Sequence, residues 1–395
     1  MAIERQATYS RWERGLIRQV RRLHPEQLKV ELKARRYRHR FCFEALLERA
    51  EELVDRDPEN ARRMAEEALD WVERNTPDEP EDRFRALSVL GEALSRSGRV
   101  PESRAVFGEA LGMGSSVPLA ELGALWWRYA LHLGQHGSNP AESLEWATRS
   151  VDLVLEKAAE GEAGSRESTS LAAAWLARGR VGWWAGEDAS KVARCYLASA
   201  LAATGETPRT ALKACEALAR TAPLAWMSGA GSFRPWKVLR RLRGLDGRFG
   251  EMGQSKHSPC RCRIRGLQGL ALAHLGHSLT PQSESYVNEC KVALLRESST
   301  CEVARLDMDV AYILLWEGRW TQLAKVAKEV IELLRDERGR EWSRCLEKWH
   351  ASLGTRRLEA AAWEAAYREA RGARAPLIFP EPEAREASDS WVSGW

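Results

Sequence analysis

Apolar and small residues return every three or four positions along most of the chain, the spacing of a helix that buries one face. The clearest run is residues 85–111, RALSVLGEALSRSGRVPESRAVFGEAL. Leu87, Leu90, Gly91 and Leu94 fall on one helical face; Ser103, Val106, Phe107, Ala110 and Leu111 fall on another. Gly98 lies between the two runs, where a tight reversal is expected. The pattern predicts two short amphipathic helices back to back. Further helix pairs are predicted in 123–151 (GALWWRYALHLGQHGSNPAESLEWATRSV), 174–201, 266–279 and 309–334. Asp57-Pro58 opens another helix with a capping acid followed by a proline suited to its first turn.

The residues of 85–111 resemble the tetratricopeptide repeat. That family places a large residue, then Leu-Gly, then a large residue on the first helix, and small, aromatic and Ala positions on the second. Leu87, Leu90-Gly91, Leu94, Gly98, Ser103, Phe107 and Ala110 stand at those spacings. More degenerate matches are Trp175, Gly179 and Gly186, then Gly269, Leu272 and Gly276, then Ala311, Leu314 and Gly318. The turn glycines recur at roughly forty residues per pair, beyond the family's usual length, and the closing proline is mostly missing. Loops are expected at 157–169, 203–208, 226–235 and 244–260.

The resemblance implies an all-α fold, an α-solenoid of about eight antiparallel helix pairs curling into a right-handed superhelix. Residues 1–40 are expected to form a basic helical arm or cap, 41–372 the repeat array, and 373–395 an extended Pro-containing tail. In this family the first helix of each pair lines a concave groove for a partner peptide. The positions carried over are Arg85, Glu92, Arg96, Arg128, His132, Arg180, Trp183, Tyr312 and Trp316. An acidic, aromatic-containing segment is the expected occupant, since Arg with Trp or Tyr would receive it. The tryptophans also suit the core between repeats. The chain is similar to Arg-, Ala- and Trp-rich bacterial tetratricopeptide proteins that serve in signalling, stress or defence complexes.

Composition changes this picture in two ways. The 395 residues carry a net charge of only +4, but the charge is segregated. Residues 1–40 hold twelve Lys/Arg against four Asp/Glu, residues 41–82 five against fifteen, and residues 234–265 ten against two. Arg35, Arg36, Arg38 and Arg40, and Arg240, Arg241 and Arg243, therefore become candidate nucleic-acid contacts, with Tyr37 or Trp236 able to stack on bases. The alternative is that the basic stretches dock on the acidic 41–82. Tryptophan is also in excess: seventeen, where about five would be ordinary.

No window approaches eighteen apolar residues, and the Arg-rich N-terminus has no secretory apolar run, while Glu4 and Glu13 count against a presequence. A cytoplasmic protein is expected. No phosphate-cradling glycine loop, zinc-protease His-Glu pair or Gly-x-Ser-x-Gly elbow occurs. The eight cysteines read as buried thiols. His257, Cys260 and Cys262, with His274 and His277, have zinc-ligand types, but Arg261, Arg263 and Arg265 crowd the segment and would repel a cation. No metal, cofactor or catalytic residue is assigned. A protein-binding scaffold or adaptor is the expected function, as a subunit of a bacterial regulatory complex. A regulatory subunit touching nucleic acid is the alternative, and a metal-binding or enzymatic protein the least favoured reading.

Overall fold

The computed structural model describes residues 40–136, 139–159, 165–203, 208–227, 233–255, 258–276, 278–297, 300–317 and 319–334, together with position 15. Among the described residues the chain is all-helical, with fourteen α-helices packed as sequential antiparallel neighbours. They are α1 (Arg40–Leu53), α2 (Pro58–Asn75), α3 (Pro80–Arg96), α4 (Val100–Gly112), α5 (Leu119–Gln135), α6 (Pro140–Ala159) and α7 (Ser165–Trp184). Then follow α8 (Ala189–Ala202), α9 (Pro208–Met227), α10 (Pro235–Glu251), α11 (Pro259–Gly276), α12 (Pro281–Arg296), α13 (Thr300–Glu317) and α14 (Trp320–Leu334). The one short 3₁₀ turn among them is Gly114–Ser116. The helices belong to two compact units, residues 1–185 with 202–207, and residues 186–201 with 208–395. Most of the basic arm (1–39) and the whole Pro-containing tail lie outside the described residues.

Local sequence explains the helix boundaries. Seven of the helices begin on proline, whose fixed φ fits the first turn and whose missing N–H costs nothing there. Asp57 caps α2 by accepting from the Asn60 backbone N–H at 3.2 Å, and Thr280 caps α12 by accepting from Ser283 N–H. Gly98, between α3 and α4, adopts a φ of 78°, which a side chain would strain.

Packing inside a pair follows from small residues at the crossings. Phe107 of α4 is fully buried against Gly91 of α3; a Cβ at Gly91 would come within 2.9 Å of the Phe107 ring. Ser103, also fully buried, donates its hydroxyl to the Gly91 carbonyl at 2.7 Å. The device repeats between α5 and α6: Ser143 donates to Ala130 O at 2.6 Å, and Ser150 to Gly123 O at 2.8 Å. A buried serine thus lets two helices approach closely while its own hydroxyl is satisfied.

Beyond the pairs, first helices lie beside first helices. In the first unit α3 contacts both α1 and α5, and α5 contacts α7; in the second, α11 contacts α9 and α13. The described tryptophans mostly serve this packing. Trp71 is buried and stacks on Phe43 at 5.6 Å, and Trp127, Trp146 and Trp184 pack around the α5–α6–α7 core.

One boundary differs from the sequence reading. Residues 244–251 were expected to be loop, yet α10 continues through Glu251. Leu245 and Phe249 keep the apolar period and are buried, so tertiary packing outweighs the helix-weakening Gly244 and Gly247. Similarly, the expected 157–169 interruption narrows, since helix runs to Ala159 and resumes at Ser165.

Candidate functional site

The first-helix face of the first unit is built from charges that reach across helix seams. Arg85 on α3 gives two parallel hydrogen bonds to Glu44 on α1, at 2.9 and 2.8 Å, with the Phe43 ring 5.6 Å from the guanidinium carbon. Burial works against this charge, but the Glu44 carboxylate more than offsets it, and Arg85 is held above its ordinary range. Arg128 on α5 donates from Nε to Glu92 at 2.9 Å, from Nη1 to Ser88 at 3.0 Å and from Nη2 to Glu51 at 2.7 Å. Its guanidinium also lies over the Trp127 ring at 4.9 Å. Arg96 reaches Gln135 at 3.3 Å and Asp55 at 3.6 Å. Arg40 binds the fully buried Asp82 at 2.9 Å and Glu79 at 3.3 Å. Burial raises the Asp82 carboxyl against the pull of Arg40 and Arg85.

Arg85, Glu92, Arg96 and Arg128 are brought together in a ladder joining α1, α3 and α5. Carboxylates outnumber guanidiniums along it: Glu44, Glu51, Asp55, Glu92 and Glu121 stand against Arg85, Arg96 and Arg128.

His132 is 1 % exposed and sits within the packing rather than on an open face. Its Nδ1 lies 3.1 Å from Ser103 Oγ and 3.0 Å from Ser95 Oγ. Ser103 already donates to Gly91 O, so at this contact its hydroxyl accepts from the Nδ1–H. The rings of Phe107, Tyr129 and His136 surround it at 5.5, 6.2 and 5.1 Å. Burial first, then the nearby His136 and Arg104 charges, push its pKa down to about 4. Imidazole and both serines are closed to solvent, so this Ser–His cluster pins α3, α4 and α5 and has no access for a substrate. Arg180 and Trp183 are half-buried on α7.

In the second unit Tyr312 is buried, its ring 5.9 Å from His274, which meets Trp226 edge-on at 5.4 Å. Trp316 lies on α13, near its end. Cys215, Cys260, Cys262 and Cys290 are all buried near Arg263, whose side chain is itself buried. Arg263 donates to Glu297 at 3.0 Å and lies 3.5 Å from Glu216. Burial pushes the Cys290 thiol up to about 12, the wrong direction for a nucleophile or ligand. Among the described residues no three or more of His, Cys, Asp or Glu come together in a group that could hold a metal ion. His257 and His277 lie outside the described residues, and His274 belongs to the aromatic cluster.

The structure separates the basic candidates. Arg35, Arg36 and Arg38 lie outside the described residues, and Arg40 is held by Asp82 and Glu79. Arg240, Arg241 and Arg243 lie on the exposed side of α10. Lys291 bridges the buried Asp307, at 2.8 Å, and Glu329, at 3.0 Å; burial raises Asp307 to about 6 despite that lysine. The ladder carboxylates Glu44 and Glu51 were not singled out from sequence. The one signal for them was the acidic excess of 41–82, which does not reveal cross-helix partners. No membrane-spanning helix occurs among the described residues.

No protein-family model matches the chain. No curated protein matches its sequence either.

Proposed function

We propose that the protein is a non-catalytic scaffold of tetratricopeptide-like solenoid type, which holds a partner protein across the first helices of its pairs. The reading rests chiefly on the side-by-side first helices α1, α3 and α5, braced by the Arg85–Glu44 and Arg128–Glu51/Glu92 ladder. Such bracing fixes the spacing of a multi-helix face, which an extended partner segment can then follow. The carboxylate surplus shifts the favoured partner from an acidic segment to a basic one carrying an apolar or aromatic anchor. Arg85 and Arg128 act as positioning residues in this reading, since their donors are taken up by the protein itself.

The test is affinity purification of the tagged full-length chain from its native host at moderate salt, alongside the Glu51→Gln/Asp55→Asn variant. A stoichiometric protein retained by the wild type and depleted at least fivefold with the variant is the expected result. No retained protein, or equal retention by both, contradicts the reading.

A further inference from the structure

We propose that the exposed face of α10 is a binding surface for single-stranded nucleic acid, with Arg240, Arg241 and Arg243 on the phosphates and Trp236 stacked on a base. The surface is built from α10 residues alone, none of which belongs to the Arg–Glu ladder, so it stands or falls independently of the scaffold reading.

The helix's periodicity divides it sharply. Val238, Leu239, Leu242, Leu245 and Phe249 are buried, and all lie on one side. At 100° per residue, Trp236, Arg240, Arg243 and Gly247 form one exposed row, and Lys237, Arg241, Gly244 and Arg248 form the adjacent row. The face's one acid, Glu251, lies at the far C-terminal end.

These cations differ from the other arginines nearby. Arg261 is held by Asp246 at 2.7 Å, Arg263 by Glu297, and Arg265 by Glu289 at 2.8 Å, so the three cations at the end of the basic 234–265 stretch are neutralised within the fold. Among the described residues, Arg234, Arg240, Arg241 and Arg243 make no ion pair. Arg248 donates to the Leu201 carbonyl at 3.0 Å, and Lys237 lies over the Trp236 ring at 5.2 Å.

Three further features point outward. Cations stand at the N-terminus of α10 with no acid in its first turn, so they add to the positive end of the helix dipole instead of offsetting it. Trp236 is 62 % exposed, the most exposed of the large apolar side chains described. Gly244 and Gly247 are exposed, and a Cβ on either would meet nothing within 4 Å, so internal packing does not require them. Glycine there weakens the helix, yet it lets a ligand backbone approach the helix between the arginines. A phosphodiester backbone suits that bare, basic strip. The tryptophan ring adds a preference for unpaired bases, whose faces are open to stacking.

The test is fluorescence anisotropy with a labelled 20-nucleotide dT strand and the corresponding dA·dT duplex. It compares wild type, Arg240→Glu/Arg241→Glu/Arg243→Glu and Trp236→Ala, each first shown by circular dichroism to melt as the wild type does. The wild type should bind the single strand, and more tightly than the duplex. Neutralising about three phosphates should weaken that binding roughly 20-fold between 50 and 200 mM salt. Charge reversal should weaken it at least tenfold, and Trp236→Ala at least threefold. Binding unchanged by the charge reversal would place the contact elsewhere, for example on residues 1–40, and would overturn the proposal. So would equal affinity for duplex with no effect of Trp236→Ala, or preference for poly-glutamate over the oligonucleotide. If the charge-reversed protein melts early, Arg240→Gln/Arg243→Gln replaces it, with a fivefold loss expected and no loss overturning the proposal.

Discussion

His132 shows how burial converts an ordinary side chain into a structural pin with a pH signature. Its folded pKa of about 4 lies below the ordinary histidine value of 6.5, so at intermediate pH the unfolded chain binds the extra proton. The stabilisation is therefore complete above pH 6.5 and is lost as pH falls towards 4. At pH 5 the loss is about 2 kcal/mol. Asp307 works in the opposite sense: its folded pKa, raised to about 6, means its burial is least favourable above that pH and is relieved on acidification. Asp307 is common to wild type and His132→Gln, so comparing the two isolates the histidine. Urea unfolding at pH 7.5 and pH 5 should show the wild type losing about 2 kcal/mol more than the variant; parallel losses would mean that His132 protonates freely in the fold.

At the scale of helices, the crossing of α3 and α4 sets how closely a pair can pack. Gly91→Ala places a methyl about 2.9 Å from the Phe107 ring, which is fully buried and hemmed by Tyr129 and His132. The substitution should cost about 1–3 kcal/mol by denaturant unfolding. Adding Phe107→Leu should recover part of that loss, because the smaller side chain vacates the clash; strictly additive losses would argue against this crossing. Much of this pair was legible in the sequence, since Gly91, Gly98, Ser103 and Phe107 lie within one short stretch and each has a local reason. The α10 boundary was not legible, because Gly244 and Gly247 read as breakers while burial of Leu245 and Phe249 is a tertiary effect. Nor was the charge ladder: Arg85 and Glu44 are separated by 41 residues, and Arg128 and Glu51 by 77. Sequence periodicity places each of them on a helix face, but only the stacking of α1, α3 and α5 decides which charges meet. Tertiary packing also buries two expected groove residues, His132 among α3, α4 and α5 and Tyr312 against His274 in the second unit.

At the scale of the molecule, two kinds of charged surface carry different expectations. The first-helix face of the first unit is cross-braced and richer in carboxylates, and the proposed partner is one of complementary charge. The α10 face of the second unit is unbraced and basic. Segregated charge in the sequence thus resolves into one set of arginines used for building and another left facing outward. The central claim, that a partner protein lies along the first helices, is tested most directly by hydrogen–deuterium exchange. The full-length chain is compared alone and in complex with the protein it retains from its host. Slowed exchange is predicted in α1, α3 and α5, around Glu51, Glu92 and Gln135, with α2, α4 and α6 unchanged. Protection confined to α2, α4 and α6, or absent from all six helices, would contradict the account.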